Sequence, residues 1–555
     1  MKSDLLLPQS LIKENSVSIR QALLLIAIVI LWVYLPFLRY GGELSAHEGF
    51  YAVCADEYSP GLLVRANGEV QSQVWPLYPA LVSLVHHCGV PLVISLRLVS
   101  MLMLFAWGAL AAFAVWMRRD MRAGMIAFCC CCGTFFVLRQ GTVGGPETLS
   151  AFLLLSAQLL FFHFGNRKAN WHKAWLFSSI FLSLAFLSGG FLMLLYFAFP
   201  ILFFRRPLSG QRKFRVPGFF IGMLLIVAVV LAWGFYTGLA LREYADTGNM
   251  AMGSLGEYLK EALFFSLLLS LWLFPWCAVM WMPFCVALQD IDQTPVFSRY
   301  LRTLFFASAL LGCLLLKPGG HLFYFLGPLA IMTALNYEAG VRRYGEYLRR
   351  LAPCGEVILA VLAVAAAGLL FLPVRYLPWI SPEALQNCRN NLEFSEILLA
   401  ALVIIVILTV LIHRGRKRLP VWVMILCVAG GSGSFYAAAV LPFRAERKVV
   451  RPQGEALAAE LKAAGVSTLY RNDFEGMYNV LYYTSDAGIK VRRIHELNKL
   501  DPKEVRICVL SPRRPVAAAW RWKRLYNCEG NYSGLSWWLG EALGDESGWN
   551  DDEKQ

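Results

Sequence analysis

The sequence predicts a mainly α-helical, polytopic membrane protein with about thirteen transmembrane helices and a small α/β domain outside the bilayer at its C-terminal end. Three observations carry that prediction. Of 555 residues, 58% are hydrophobic and 16% charged, whereas a soluble domain carries about 25% charge. The apolar residues gather in repeated runs of about 15 to 27, and a helix needs roughly 20 to cross the hydrocarbon core. The formal charge of +14 falls between those runs, in Arg118/Arg119/Arg122, Arg167/Lys168/Lys173, Arg205/Arg206/Arg212/Lys213/Arg215, Arg342/Arg343/Arg349/Arg350 and Arg414/Arg416/Lys417/Arg418. Every second loop is basic, which is the signature of cytoplasmic loops. The basicity therefore marks topology and does not call for a nucleic-acid partner.

Residues 1–20 carry Lys2, Lys13 and Arg20, placing the N-terminus inside. The spans then read Gln21–Phe37, Pro91–Met117, Ala123–Leu138, Thr148–Phe164, Ala174–Ser188, Gly190–Phe204, Gly218–Leu241, Ala262–Leu288, Thr303–Leu316, Leu322–Tyr337, Val357–Leu372, Ile397–Ile412 and Val421–Leu441. Basic flanks on both sides make Ser188-Gly189-Gly190 the turn of a hairpin, and Lys317-Pro318-Gly319-Gly320 an outside turn. The first apolar run is long and lacks a small-residue cleavage site, so no removable signal peptide is expected.

An odd number of spans from an inside N-terminus puts the tail outside. The expected domains are a membrane domain, 1–442, with a large first outside loop, 39–90; an α/β domain, 443–544; and a disordered acidic tail, 545–555. Within the tail, helices are expected at Gln453–Ala464 and Gly476–Tyr483, and strands at Ser467–Arg471, Lys490–Ile494 and Val505–Leu510. The fourteen cysteines show no metal-ligand spacing. Cys129 to Cys132 sit in an apolar run as small buried hydrophobes. Cys508 and Cys528 are a pairing option that sequence alone leaves open.

Chemistry concentrates on the outside face. The first loop carries Glu43, His47, Glu48, Asp56, Glu57 and Glu69, and Glu147 opens the fourth span behind Pro146. Cations stand at span ends: Arg97, Arg139, Arg242, Lys317 and His321. A carboxylate beside a groove can take a proton from an acceptor hydroxyl. Cations at the same depth can neutralise a departing phosphate. The bland readings stand beside these. A carboxylate at Glu147 also suits a helix N-terminus, Arg97 can snorkel, and Asp56 and Glu57 can simply face water.

The order of these motifs resembles the GT-C class of glycosyltransferases, in particular the group of aminoarabinose lipid A transferases and protein O-mannosyltransferases. The likeness runs over nearly the whole chain. The family's first-loop pattern, Asp-Glu before an Arg-Tyr-Ala-like triplet, is matched by His47-Glu48-Gly49-Phe50-Tyr51-Ala52, with His47 for the Asp and Phe50 for the Arg. Gly61, Asn67-Gly68 and Trp75-Pro76-Leu77-Tyr78-Pro79 follow, with Val74 where the family has a phosphate-contacting lysine. Arg97-Leu98, Pro146-Glu147-Thr148-Leu149, Gly189-Gly190 without its lysine, and Lys317/His321/Tyr324/Pro328 complete the series, and Met477–Tyr483 and Val491–Leu497 resemble the family's tail.

The resemblance implies an inner-membrane glycosyltransferase of the hexosyl/pentosyl kind. It would transfer a sugar, with inversion, from a polyprenyl-phosphate donor to a lipid, glycan or protein acceptor at the periplasmic face. Glu48 and Glu147, with His47 as helper, would be catalytic. Arg97, Lys317, His321, Tyr324, Arg242, Tyr51 and Tyr78 would bind donor phosphate and substrate. No cofactor or metal is expected, and no nucleic acid. Three alternatives remain: a surface-glycan ligase or polymerase, a catalytically degenerate relative, and a secondary transporter. The last predicts inverted repeats, which the sequence does not display.

Overall fold

The computed structural model describes residues 18–40, 43–71, 74–204, 214–237, 260, 268–289, 291–315, 321–371, 396–415, 419–436, 446–471, 477–493, 506–511, 520–527 and 536–542. Along the chain run helices α1 (Ile19–Tyr40), α2 (Ala46–Asp56), α3 (Leu77–His87), α4 (Leu92–Trp116), α5 (Met121–Cys132), α6 (Phe135–Gln140), α7 (Glu147–Phe162), α8 (Trp171–Gly189), α9 (Phe191–Ile201) and α10 (Pro217–Thr237). Then come α11 (Cys277–Met280), α12 (Val286–Gln289), α13 (Pro295–Leu314), α14 (Leu322–Phe371), α15 (Glu396–Gly415), α16 (Val421–Phe435), α17 (Glu446–Ala463) and α18 (Tyr478–Asp486). The strands are β1 (Arg65–Ala66), β2 (Glu69–Val70), β3 (Thr468–Arg471), β4 (Lys490–Arg493), β5 (Arg506–Ser511), β6 (Trp520–Asn527) and β7 (Ser536–Ala542).

The chain divides into two compact units, one of Met1–Gly42 with Trp75–Phe443, the other of Glu43–Val74 with Arg444–Gln555. The first is helical. Among its described residues, α4, Glu147–Asn166 and α10 are each long and apolar enough to cross a membrane, and five shorter apolar helices accompany them. Burial separates their roles: α7 is almost wholly enclosed, as is the first third of α14, whereas α10 exposes Phe220, Leu224 and Leu231. A helix apolar all round is at home either in a packed core or against lipid. Cys129 to Cys132 are buried against neighbouring helices.

Four expected spans differ from the observed helices. Ala123–Leu138 is split at Gly133-Thr134 into α5 and α6. Leu322–Tyr337 and Val357–Leu372 join into the single 50-residue α14, about 75 Å of helix if straight. The polar stretch between them stays helical with the help of pairs four residues apart, Glu338–Arg342 at 2.5 Å and Glu346–Arg350 at 2.7 Å, which favour continued helix. Conversely, the described part of Ala262–Leu288 is not one helix. It breaks at Phe274-Pro275 and again into a 3₁₀ turn at Met282–Phe284, because Pro275 and Pro283 have no N–H to donate. The hairpin at Ser188–Gly190 is observed: Gly190 ends α8 at φ +71.

The second unit is built around a five-stranded sheet of order β4-β3-β5-β7-β6. β4, β3 and β5 are parallel, and β7 runs antiparallel between β5 and β6. The three tail strands expected from the sequence are β3, β4 and β5, and α17 and α18 are the two expected helices. β6 and β7 are additional. Helix α2, from the first loop, belongs to this unit and packs on α18. Gly49 lets the two backbones meet, since a Cβ there would overlap the main chain of Asn479. Asn479 Nδ2 donates to the Leu44 carbonyl at 3.3 Å, the Leu44 N–H donates to Tyr483 Oη at 3.3 Å, and the Val450 N–H donates to Glu43 Oε2 at 2.7 Å. Cys508 is buried in β5; Cys528 and the acidic tail lie outside the described residues.

Candidate functional site

Glu147 stands half-buried at the first position of α7, and neighbouring polar contacts fix where that helix begins. The Tyr78 hydroxyl, wholly buried, lies 3.0 Å from the Leu96 carbonyl oxygen and 2.9 Å from Ser100 Oγ. Ser100 Oγ donates to the Gly145 carbonyl at 3.0 Å and accepts from the Gly145 N–H at 3.0 Å. Tyr78 thus clamps α3, α4 and the turn that leads into Glu147. One turn further on, Ser150 Oγ meets Ser188 Oγ at 2.9 Å, tying α7 to the end of α8. Buried hydroxyls need such partners, so each pair both satisfies its atoms and sets a register.

The turn after α8 is held by aromatic packing. Trp75 lies 4.9 Å from Phe186, 4.3 Å from Trp233 and 6.0 Å from Phe191, ring to ring. A Cβ at Gly190 would stand inside the Trp75 indole. Sequence reasoning found the Gly-Gly turn but not the ring that requires it.

A second polar group gathers near Glu147. Tyr196, on α9, shares a hydrogen bond of 2.6 Å with His321 Nδ1, and its ring lies 4.8 Å from that of Tyr324. His321 and Tyr324 rings are 6.0 Å apart. Glu147 is close enough to Tyr324 for its charge to act on the phenol. Four side chains from α7, α9 and the start of α14 therefore form one cluster within the helical unit. Tyr196 was missed because it sits in a run of Leu, Phe and Met that reads as plain span. Its only signal was a hydroxyl in an otherwise apolar helix, which must find a partner when buried.

Arg97 is 2% exposed, on the sixth residue of α4. It precedes Ser100 by three residues and so shares the helix face that holds the turn before Glu147. A cation so enclosed is costly, about 2.5–3.5 kcal/mol at mid-membrane on insertion scales. Such a residue is kept where it has charge to meet.

The remaining expected site residues fall in the other unit or outside the described residues. Glu48, Tyr51 and His47 lie on α2. Glu48 is 1% exposed and forms a capping box: its Oε2 accepts from the Ser45 N–H at 2.9 Å and from Ser45 Oγ at 3.0 Å, while the Glu48 N–H donates to Ser45 Oγ at 3.3 Å. That arrangement secures the start of α2. His47 is exposed, its ring 5.0 Å from Tyr51. Val74, at the family's lysine position, is buried. Arg242 and Lys317 lie outside the described residues. Among the described residues no three His, Cys, Asp or Glu side chains gather to hold a metal ion.

Neither a protein-family model nor any curated protein matches the sequence. Among solved structures the chain is similar to ArnT from Cupriavidus metallidurans in the apo state, with 12% identity over 93% of this chain and 97% of that chain and a TM-score of 0.65. It is similar to the same protein bound to undecaprenyl phosphate, with 12% identity over 96% and 100% and a TM-score of 0.65. The oligosaccharyltransferase of Archaeoglobus fulgidus overlaps more loosely, at 13% identity, 87% and 65% coverage and a TM-score of 0.40, and bears no weight here. The chain therefore has the fold of ArnT.

Proposed function

We propose that this chain is a membrane glycosyltransferase that moves a sugar from a polyprenyl-phosphate donor to an acceptor at the periplasmic face of the bacterial inner membrane. The observation that carries the proposal is the Glu147–Tyr324–Tyr196–His321 cluster at the head of α7, clamped by Tyr78 and Ser100, in a chain with the fold of ArnT. One of those ArnT structures is bound to undecaprenyl phosphate, a donor-type lipid.

In this reading the acceptor's hydroxyl or amine attacks the anomeric carbon from the side opposite the phosphate. The new bond forms as the C–O bond to phosphate breaks, so configuration inverts. The acceptor proton passes to a carboxylate, Glu147 or Glu48, with His47 assisting. The electron pair leaves on the polyprenyl phosphate, which is already anionic and needs no acid. Arg97, Lys317 and Arg242 supply positive charge for it, His321 and Tyr324 orient it, Tyr78 braces the turn before Glu147, and Tyr51 is a further substrate-binding residue. A preorganised cation in a dry site is worth far more than in water. The N-terminus is cytoplasmic and the sheet-bearing unit periplasmic.

Glycolipid profiling of a deletion strain by mass spectrometry identifies the missing product. Transfer is then assayed in membranes. Of Glu147→Gln and Glu48→Gln, at wild-type abundance, the variant that removes the proton acceptor is expected to lose about 100-fold or more, the usual share of a general base. Full transfer by both variants would overturn the assignment.

A further inference from the structure

Between α1, α4 and α5 lies an apolar cleft of about 660 Å³, lined by Leu23, Ile30, Phe105, Trp116, Met121 and Phe128 among others. One end is closed: the Tyr34 ring stands 5.3 Å from Phe105, and the Tyr34 hydroxyl donates to the Cys132 carbonyl at 2.7 Å. Eleven residues away along each helix are Leu23, Trp116 and Met121, about 16 Å distant. That level is the basic end of the three helices, which by the distribution of positive charge is the cytoplasmic side.

Four arginines lie within about one turn of that level along the chain, and two are already engaged. Arg118 lies 3.7 Å over the Phe297 ring and donates to the Ala114 carbonyl at 2.6 Å, and Arg119 pairs with Glu338 at 2.6 Å. Arg20 and Arg122 are exposed instead. Arg20 sits one turn before Leu23 on the cleft face of α1, and Arg122 adjoins Met121 on α5. Small residues on the walls, Ala27 and Ala109, leave the cleft open along its length. A long apolar slot with cations at its mouth matches one kind of molecule, a hydrocarbon chain ending in an anionic headgroup.

We infer that this cleft holds one acyl chain of an anionic phospholipid from the cytoplasmic leaflet, with its phosphate between Arg20 and Arg122. The inference rests on the helical unit spanning a bilayer, and not on the transfer reaction. Bound there, the lipid fills the seam between α1 and the α4–α5 hairpin.

The test uses the full chain, delipidated in detergent and re-equilibrated with vesicles of phosphatidylcholine containing a minority of phosphatidylglycerol, then examined by native mass spectrometry. Wild type is expected to retain phosphatidylglycerol with about thirtyfold enrichment, the product of two basic contacts. The Arg20→Gln/Arg122→Gln pair should fall to parity while still carrying a lipid. Ala27→Phe/Ala109→Phe fills the slot from its exposed walls and should lose both lipids while melting like wild type. Parity in the wild type, or unchanged retention in the filled variant, overturns the site and leaves the transferase reading standing. So does a gain of lipid on removing residues 2–15, which would identify that segment as the occupant.

Discussion

Gly190 carries two constraints at once, a φ of +71 and the Trp75 indole where a side chain would go. Gly190→Ala is expected to cost about 2 kcal/mol or more, since a positive φ and a steric overlap each destabilise, read as a lower melting point in detergent. Glu356 is the opposite kind of residue. It is fully buried, beside Gly431, and neither carboxylate oxygen has a hydrogen-bond partner among the described residues. A polar group buried without compensation costs about 1–3 kcal/mol, so Glu356→Leu is expected to raise the melting point by a matching amount. No change, or a fall, would show that Glu356 has a task in the bundle. The sequence displayed the Gly-Gly turn, because glycine pairs between apolar runs are turn signals. It did not display the ring above it or the Glu356 surroundings, since both depend on residues brought together from far along the chain.

Elements were legible to the extent that hydropathy and hydrogen bonding agree. The ends of α4 and α7 and the break between α8 and α9 follow apolar runs closely. α14 does not, because hydropathy records contact with lipid whereas helix continuity depends on backbone bonds and pairs such as Glu338–Arg342. β6 reads Trp-Arg-Trp-Lys, an alternation short enough to pass for loop. Helix α2 shows how local chemistry also sets pH response. Burial raises the carboxyl pKa of Glu43 from 4.5, against the opposing N–H donation from Arg451 and Val450, and burial likewise raises that of Glu57 against donation from Gly68. A raised folded pKa favours the protonated form. The stabilisation is therefore present in full below about 4.5 and is lost as pH climbs through the higher folded value. Glu43→Gln keeps an acceptor for the Val450 N–H but removes the charge. Hydrogen exchange along α2 should become less pH-dependent above that point, with more protection at neutral pH.

At the scale of the whole molecule, the proposed donor chemistry predicts linkage between ligand and fold. Undecaprenyl phosphate added in detergent should raise the melting point, by about 2.7 kcal/mol of stability at a hundredfold excess over its dissociation constant. The uncharged polyprenol should not, because the buried Arg97 offers charge to a phosphate and nothing comparable to an alcohol. Equal shifts from both lipids would argue against a phosphate seat. The candidate site was legible as a set of charged residues. Its geometry was not, because Tyr196 reaches His321 across 125 positions. The sheet-bearing unit has a longer separation still, since α2 closes against residues more than 400 positions downstream. At a ribosomal pace of about 5–20 residues per second, the helix that carries Glu48 emerges at least about twenty seconds before its partner α18 is made. During biosynthesis its apolar side must be shielded by something other than its final neighbours, so the nascent chain has a window of vulnerability that a protease or a chaperone would find first.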